Sequence, residues 1–166
     1  MIRAAIYKTR ELGGQFILLG SALDPKIQAE FIALKKHFSS DRNIHFELTY
    51  NEELSHQVFA ASDIFIVPSR FEPCGLTQMI AMRYGAVPLV RKTGGLADTV
   101  FEKKNGFIFT NANSKEIGKA LSRAFNLFHT SPKAFQTLAE HGLQSQLGWA
   151  LPAKAYISIF EQIMQS

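Results

Sequence analysis

The chain has 166 residues, 46% of them apolar and 19% charged, which supplies one sizeable core and excludes a disordered or fibrous chain. Lys and Arg outnumber Asp and Glu by 18 to 14, a formal charge of +4, but the basic residues are spread along the chain and form no polybasic block, so nothing points to nucleic acid. The single cysteine, Cys74, excludes an internal disulfide framework and a multi-cysteine zinc site, and no apolar run approaches the roughly 20 residues that span a bilayer.

Met1 leads straight into Ile2-Arg3-Ala4-Ala5-Ile6, without the apolar run and cleavage site of a secretory signal, so no export is expected. Ile2, Ala5, Ile6 and Leu12 have helical spacing, and Gly13-Gly14 marks a stop. The run 15–20 reads as a short buried strand. Asp24 as N-cap with Pro25 at the first helical position starts an amphipathic helix that runs to about Phe38. The pattern then repeats: a strand at 44–48, a helix from Asn51, a strand at 64–67, a helix from about Gly75, and a strand at 87–90. A weaker strand at 107–109 precedes helices near 113–128, 131–146 and 152–164. Strands this apolar are expected to be buried on both faces.

Short apolar strands alternating with helices predict an α/β fold with a doubly wound parallel sheet, Rossmann-like in its right-handed crossovers. The first helix has no strand before it to start its crossover, so the expectation is a sheet that lacks its first strand, in a chain cut at its N-terminus.

Ligands of such sheets bind beyond the C-terminal strand ends, where two informative runs lie. Pro68 to Gln78 offers Glu72 and Gly75 ahead of a helix starting near Leu76, whose free N–H groups suit an anion. Gly94-Gly95 repeats the arrangement after the next strand and allows close backbone approach. Each residue alone has a plainer reading. A loop carboxylate is most often an N-cap or a solvated group, a lone Cys74 an inert small side chain, and a Gly-Gly pair a tight turn. Tyr50 is a rim aromatic or a ring that stacks on a base. His37, His45, His56, His129 and His141 have no metal-ligand spacing.

Taken together, Pro68-Ser69-Arg70-Phe71-Glu72-Pro73-Cys74-Gly75-Leu76-Thr77-Gln78, Ala81-Met82-Arg83-Tyr84-Gly85 and Lys92-Thr93-Gly94-Gly95-Leu96-Ala97-Asp98-Thr99-Val100 resemble bacterial glycogen synthase and plant starch synthase. The likeness extends from Glu11-Leu12-Gly13-Gly14 and Leu54-Ser55-His56 to Trp149, Pro152-Ala153 and Tyr156. It implies the C-terminal half of a GT-B fold: a Rossmann-like nucleotide-sugar-binding domain over 1–150 and a crossover helix over 151–166. The implied reaction moves glucose from ADP-glucose to the non-reducing end of an α-1,4-glucan with retention, the glucan held by the N-terminal domain. Residue by residue, the resemblance puts Glu72 against the donor glucose as the catalytic carboxylate and lines the same sugar with Cys74 and Gly75. It gives Leu76 and Thr77 to the diphosphate and Tyr50 to adenine. Thr93, Gly94 and Gly95 are implied as loop contacts.

The resemblance implies no cofactor, no metal, no nucleic acid or membrane partner, and a cytoplasmic location, or a plastid in a plant. Ile80 stands where many related retaining transferases carry a second Glu, as expected for the glycogen and starch synthase branch. The family's diphosphate-clamping Arg and Lys, its glycine-rich loop and its catalytic His would all precede Met1, so this chain alone is expected to be inactive. The alternative is a non-catalytic remnant or an ADP-glucose-binding module.

Overall fold

The computed structural model describes residues 1–165, in which helices and strands alternate. Helix α1 (Ile2–Glu11) buries Ala5, Ile6 and Thr9, and Lys8 and Arg10 in its last turn complement its dipole. Gly13, at φ +76°, turns the chain into β1 (Phe16–Leu19). Helix α2 (Pro25–His37) starts where the Asp24 carboxylate accepts from the N–H groups of Lys26 and Ile27. After β2 (Ile44–Glu47), the Asn51 side chain caps α3 (Glu52–Ala61) by accepting from the Leu54 N–H. Then come β3 (Ile64–Val67), α4 (Thr77–Arg83), β4 (Val87–Arg91), α5 (Gly94–Thr99) and β5 (Phe107–Phe109). Helices α6 (Ser114–Thr130), α7 (Pro132–Leu143) and α8 (Ala150–Met164) follow.

Most elements lie where periodicity and caps place them. Helix α4 begins at Thr77 and not at Gly75, because Gly75 adopts φ +74°, outside the helical region. Helix α5 is not anticipated from the sequence: six residues led by two glycines carry no amphipathic period. Helix α8 starts before Pro152, which sits in its first turn, where no N–H is required of it.

All strand pairs are parallel, as expected, but they form two sheets among the described residues: β1 with β2, and β3, β4, β5 in that order. The break falls between β1 and β3, which line a common cleft of about 800 Å³. This corrects the expectation that every strand is buried on both faces. Strand β4, flanked on both sides, is buried from Val87 to Val90, whereas β1 and β3 are largely half-buried and Ile17 is 48% exposed. Each has a neighbour on one edge only.

The larger core joins Val87 and Leu89 of β4 and Phe107 and Phe109 of β5 to Ile117, Leu121 and Ala124 of α6 and to Leu138 of α7. A smaller one gathers Leu34, Phe38, Ile44 and Phe46 around β2. Helix α1 ties them together, with Ala5 in the first and Ile6 in the second. A fully buried aliphatic side chain such as Leu89 contributes about 1.5 to 3 kcal/mol.

Candidate functional site

Three loops meet at the C-terminal ends of the larger sheet: β3 to α4, β4 to α5, and β5 to α6. Arg91, the last residue of β4, joins them. Its Nε donates to the Ser69 carbonyl at 2.8 Å, one terminal nitrogen to the Arg70 carbonyl, and the other to the Thr110 carbonyl at 3.4 Å. A guanidinium presents its donors in a rigid fork, so one side chain fixes the exit of β3 against that of β5.

The loop then runs through Glu72, Pro73 and Cys74, and the start of α5 lies directly on its backbone. The Gly95 N–H donates to the carbonyls of Glu72 (3.2 Å) and Pro73 (3.3 Å). A Cβ on Gly94 would lie 1.9 Å from the Glu72 oxygen, and one on Gly95 would lie 2.0 Å from the Cys74 oxygen. Both positions therefore require glycine on contact grounds, and Gly94 also on its φ of +43°. The Glu72 carboxylate accepts from the Ser69 hydroxyl at 3.1 Å, within the same loop.

Beneath the loop, Gln78 of α4 is fully buried. Its amide nitrogen donates to the carbonyl of Gly75 (2.7 Å) and to the hydroxyl of Thr99 (3.1 Å), and Thr99 donates onward to the Gly95 carbonyl (2.8 Å). Asn105 closes the chain of contacts by donating to the Thr99 carbonyl at 2.9 Å. The two glycine turns are thus held to one another by side-chain amides and a hydroxyl, an arrangement that is rigid because every buried member but the Gln78 Oε1 is satisfied.

Of the residues singled out in the sequence, Glu72, Cys74, Gly75, Gly94 and Gly95 come together here. Leu76 and Thr77 form the start of α4, exposed and without a side-chain cap, so no cap side chain claims the N–H groups of its first turn. Thr93 precedes α5 in extended conformation. Tyr50 stands apart on the loop from β2 to α3, 82% exposed, and shares with Thr77 the lining of the cleft between β1 and β3. Among the described residues no group of His, Cys, Asp and Glu is arranged to hold a metal ion.

Arg91, Gln78 and Thr99 received no role from the sequence. One signal was available: Gln78 sits at i, i+3 and i+4 from Ala81 and Met82 on the buried face of α4, and an amide at a core position needs partners. Arg91 ends an otherwise apolar strand, which marks it without indicating what it holds.

Parallel βα layering with a glycine-seated loop at the strand ends is the arrangement of the α/β domains from which GT-B glycosyltransferases are built. The model of glycosyl transferases group 1 matches residues 13–136, and the chain belongs to that family. Glycogen synthase 1 of Trichormus variabilis is 42% identical over 98% of this chain, and the probable starch synthase 4 of Arabidopsis thaliana is 46% identical over 96% of it. The chain spans about a third of the first (35%) and 16% of the second. Among solved structures, the catalytic domain of starch synthase IV from Arabidopsis thaliana, bound to ADP and acarbose, superposes with a TM-score of 0.92 at 45% identity, over 99% of this chain and 35% of that one. A sucrose-phosphate synthase from Thermosynechococcus elongatus, at 21% identity and a TM-score of 0.75, shares the fold.

Proposed function

We propose that the chain is the donor-binding half of a glucosyltransferase of the glycogen and starch synthase kind, with ADP-glucose seated at the C-terminal ends of β3 and β4. The observation that carries this reading is the likeness, over 99% of the chain, to a catalytic domain described as bound to ADP and acarbose. In the reaction, the bond from the glucose C1 to the diphosphate oxygen breaks. C1 bonds to the 4-hydroxyl oxygen at the non-reducing end of an α-1,4-glucan, the hydroxyl proton is lost, and ADP leaves.

Each residue has a part that its position supports. The Glu72 carboxylate, steadied by Ser69, faces the donor glucose, binds its hydroxyls and favours the positive charge that develops as C1 separates from its leaving group. Cys74 and Gly75 line the same sugar. The Leu76 and Thr77 N–H groups and the Thr77 hydroxyl meet the diphosphate. Tyr50 stacks on adenine, its exposed ring being free to do so. Thr93, Gly94 and Gly95 supply the facing loop. The glucan is held by the part of the relatives that this chain does not span, and helix α8, from 151 onward, crosses to that part. No described helix is long and apolar enough to cross a membrane; we place the protein in the cytoplasm, or in a plastid in a plant, where its Arabidopsis relative is named as residing.

Calorimetry tests the reading. ADP is expected to bind the 166-residue chain saturably with a dissociation constant no tighter than the high micromolar range, and Tyr50→Ala is expected to weaken it about tenfold, the loss of one stacked base at roughly 1 to 3 kcal/mol. No saturable heat from ADP at millimolar concentration overturns it. The chain alone is expected to transfer no glucose to glycogen, because transfer needs donor and acceptor held together across a cleft.

A further inference from the structure

Of the buried residues of α4, Gln78, Ala81 and Met82, only Gln78 is polar, and it is fully enclosed beneath the loop that carries Glu72. Its neighbours settle which way the amide lies. The Gly75 carbonyl, 2.7 Å away, can only accept, so the amide nitrogen faces it, and the second N–H of that nitrogen reaches the Thr99 hydroxyl at 3.1 Å. The Thr99 hydroxyl donates onward to the Gly95 carbonyl at 2.8 Å, and the Gly95 N–H donates to the carbonyls of Glu72 and Pro73. The circuit thus leaves the loop at Gly75 and returns to it at Glu72, so residues 72–75 are gripped at both ends. A Cβ on Gly75 would lie 2.7 Å from the Gln78 Oε1 and 3.1 Å from the Glu72 Cγ, which brings the amide and the stem of the carboxylate to one point beside the turn.

The Gln78 Oε1 is buried without a hydrogen-bond partner, which offsets part of what the two donated bonds contribute to stability. What the amide supplies undiminished is direction: two donors, fixed on a helix, aimed at two loops. No other neutral side chain of this length carries two donors on one atom. A glutamate would set an acceptor against the Gly75 carbonyl, and a methionine would fill the space and donate nothing.

We propose that Gln78 is a positioning residue for the donor glucose: by closing this circuit it holds the Glu72–Gly75 segment at one separation from α5, and the affinity for ADP-glucose relative to ADP depends on it. The proposal rests on the seating of ADP-glucose proposed above and gives Gln78 no contact with it, since the side chain acts through Gly75 and Thr99. The effect falls on the sugar because the gripped segment carries Glu72, Cys74 and Gly75, whereas Tyr50 stands on a different loop.

The test is calorimetric titration of the 166-residue chain and its variants with ADP and with ADP-glucose. Gln78→Met is expected to weaken ADP-glucose about tenfold and ADP by less than about threefold. Thr99→Val, which keeps the shape and removes the hydroxyl, should do the same, and combining the two should add little, because either one already opens the circuit. Thr99→Ser keeps a hydroxyl and should keep the parent ratio of the two affinities. Leu34→Ala, a cavity in the smaller core around β2, should lower stability and leave that ratio alone. A parent ratio in Gln78→Met, an equal shift in Leu34→Ala, or additive losses in the double variant overturns the proposal. Where Gln78→Met does not fold, the Thr99 variants decide: serine and valine with the same ratio overturn it. A parent chain that binds ADP but gives no saturable heat with ADP-glucose also overturns it. No saturable heat from ADP overturns the donor-site reading and this proposal with it, whereas ADP binding with an unmoved ratio overturns the proposal alone.

Discussion

Gly94 and Glu72 touch through their backbones: a side-chain carbon on Gly94 would lie 1.9 Å from the Glu72 carbonyl oxygen. The turn that opens α5 is thereby the seat on which the loop carrying the proposed catalytic carboxylate rests, and the carboxylate is positioned by a residue with no side chain.

Gly94→Ala is expected to disturb that seat from two directions, by the overlap and by its φ of +43°. The neighbour it strikes is backbone and cannot swing aside, so a destabilisation of about 2 kcal/mol or more is expected in urea unfolding. ADP-glucose should lose affinity more than ADP, because the displaced segment faces the sugar. Unchanged unfolding and an unchanged ratio of the two affinities count against the seat.

Arg91→Lys keeps the charge and discards the fork. One ammonium cannot reach the carbonyls of Ser69, Arg70 and Thr110 together, and charge-assisted hydrogen bonds are worth about 1.5 to 3 kcal/mol each. The expected result is a loss of roughly 2 kcal/mol in stability, with faster exchange confined to 69–75 and 110–113. Uniformly faster exchange over the whole chain would mean that the residue supports the sheet and not the loops.

Asp41 accepts from the Asn43 N–H and from the Arg10 guanidinium, which ties the loop before β2 to the end of α1. The Asn43 N–H first, then Arg10, hold its carboxyl below its ordinary value of 3.8. A lowered folded-state value contributes stability that is fully present above 3.8 and lost as the pH falls through the folded-state value. Asp41→Asn should therefore lower the unfolding temperature at about pH 6 and converge with the parent chain at acid pH. A gap that persists unchanged to the acid limb excludes the carboxylate as its source.

No residue of α8 is buried, and Leu151, Tyr156, Ile157 and Phe160 are each more than half exposed. An apolar helix face left in water promotes association. Chain ended after Leu147 should unfold with the same cooperativity as the full chain and sediment as less associated, while in the full chain amides from Ala153 to Met164 exchange faster than those of β3. Loss of cooperative unfolding on truncation would show that α8 belongs to the core.

Much of this protein is legible residue by residue. Asp24 and Asn51 announce helix starts because a short side-chain acceptor meets free N–H groups a few residues on, and the apolar runs 64–67 and 87–90 announce strands, of which only 87–90 is buried throughout. These are local effects, written in spacing, and they determined the order of elements, the parallel sheet and the placement of the Glu72 and Gly94 loops at strand ends. The tertiary structure alone decided the rest. Helix α5 exists because its glycines fit onto a backbone about 20 residues upstream, and Arg91 bridges Ser69 and Arg70 from 22 and 21 residues away. The half-burial of β1 and β3 depends on which edges find neighbours. Contacts through space leave no period in the chain, so the division of the sheet and the cleft between its halves emerge only when the strands are set side by side.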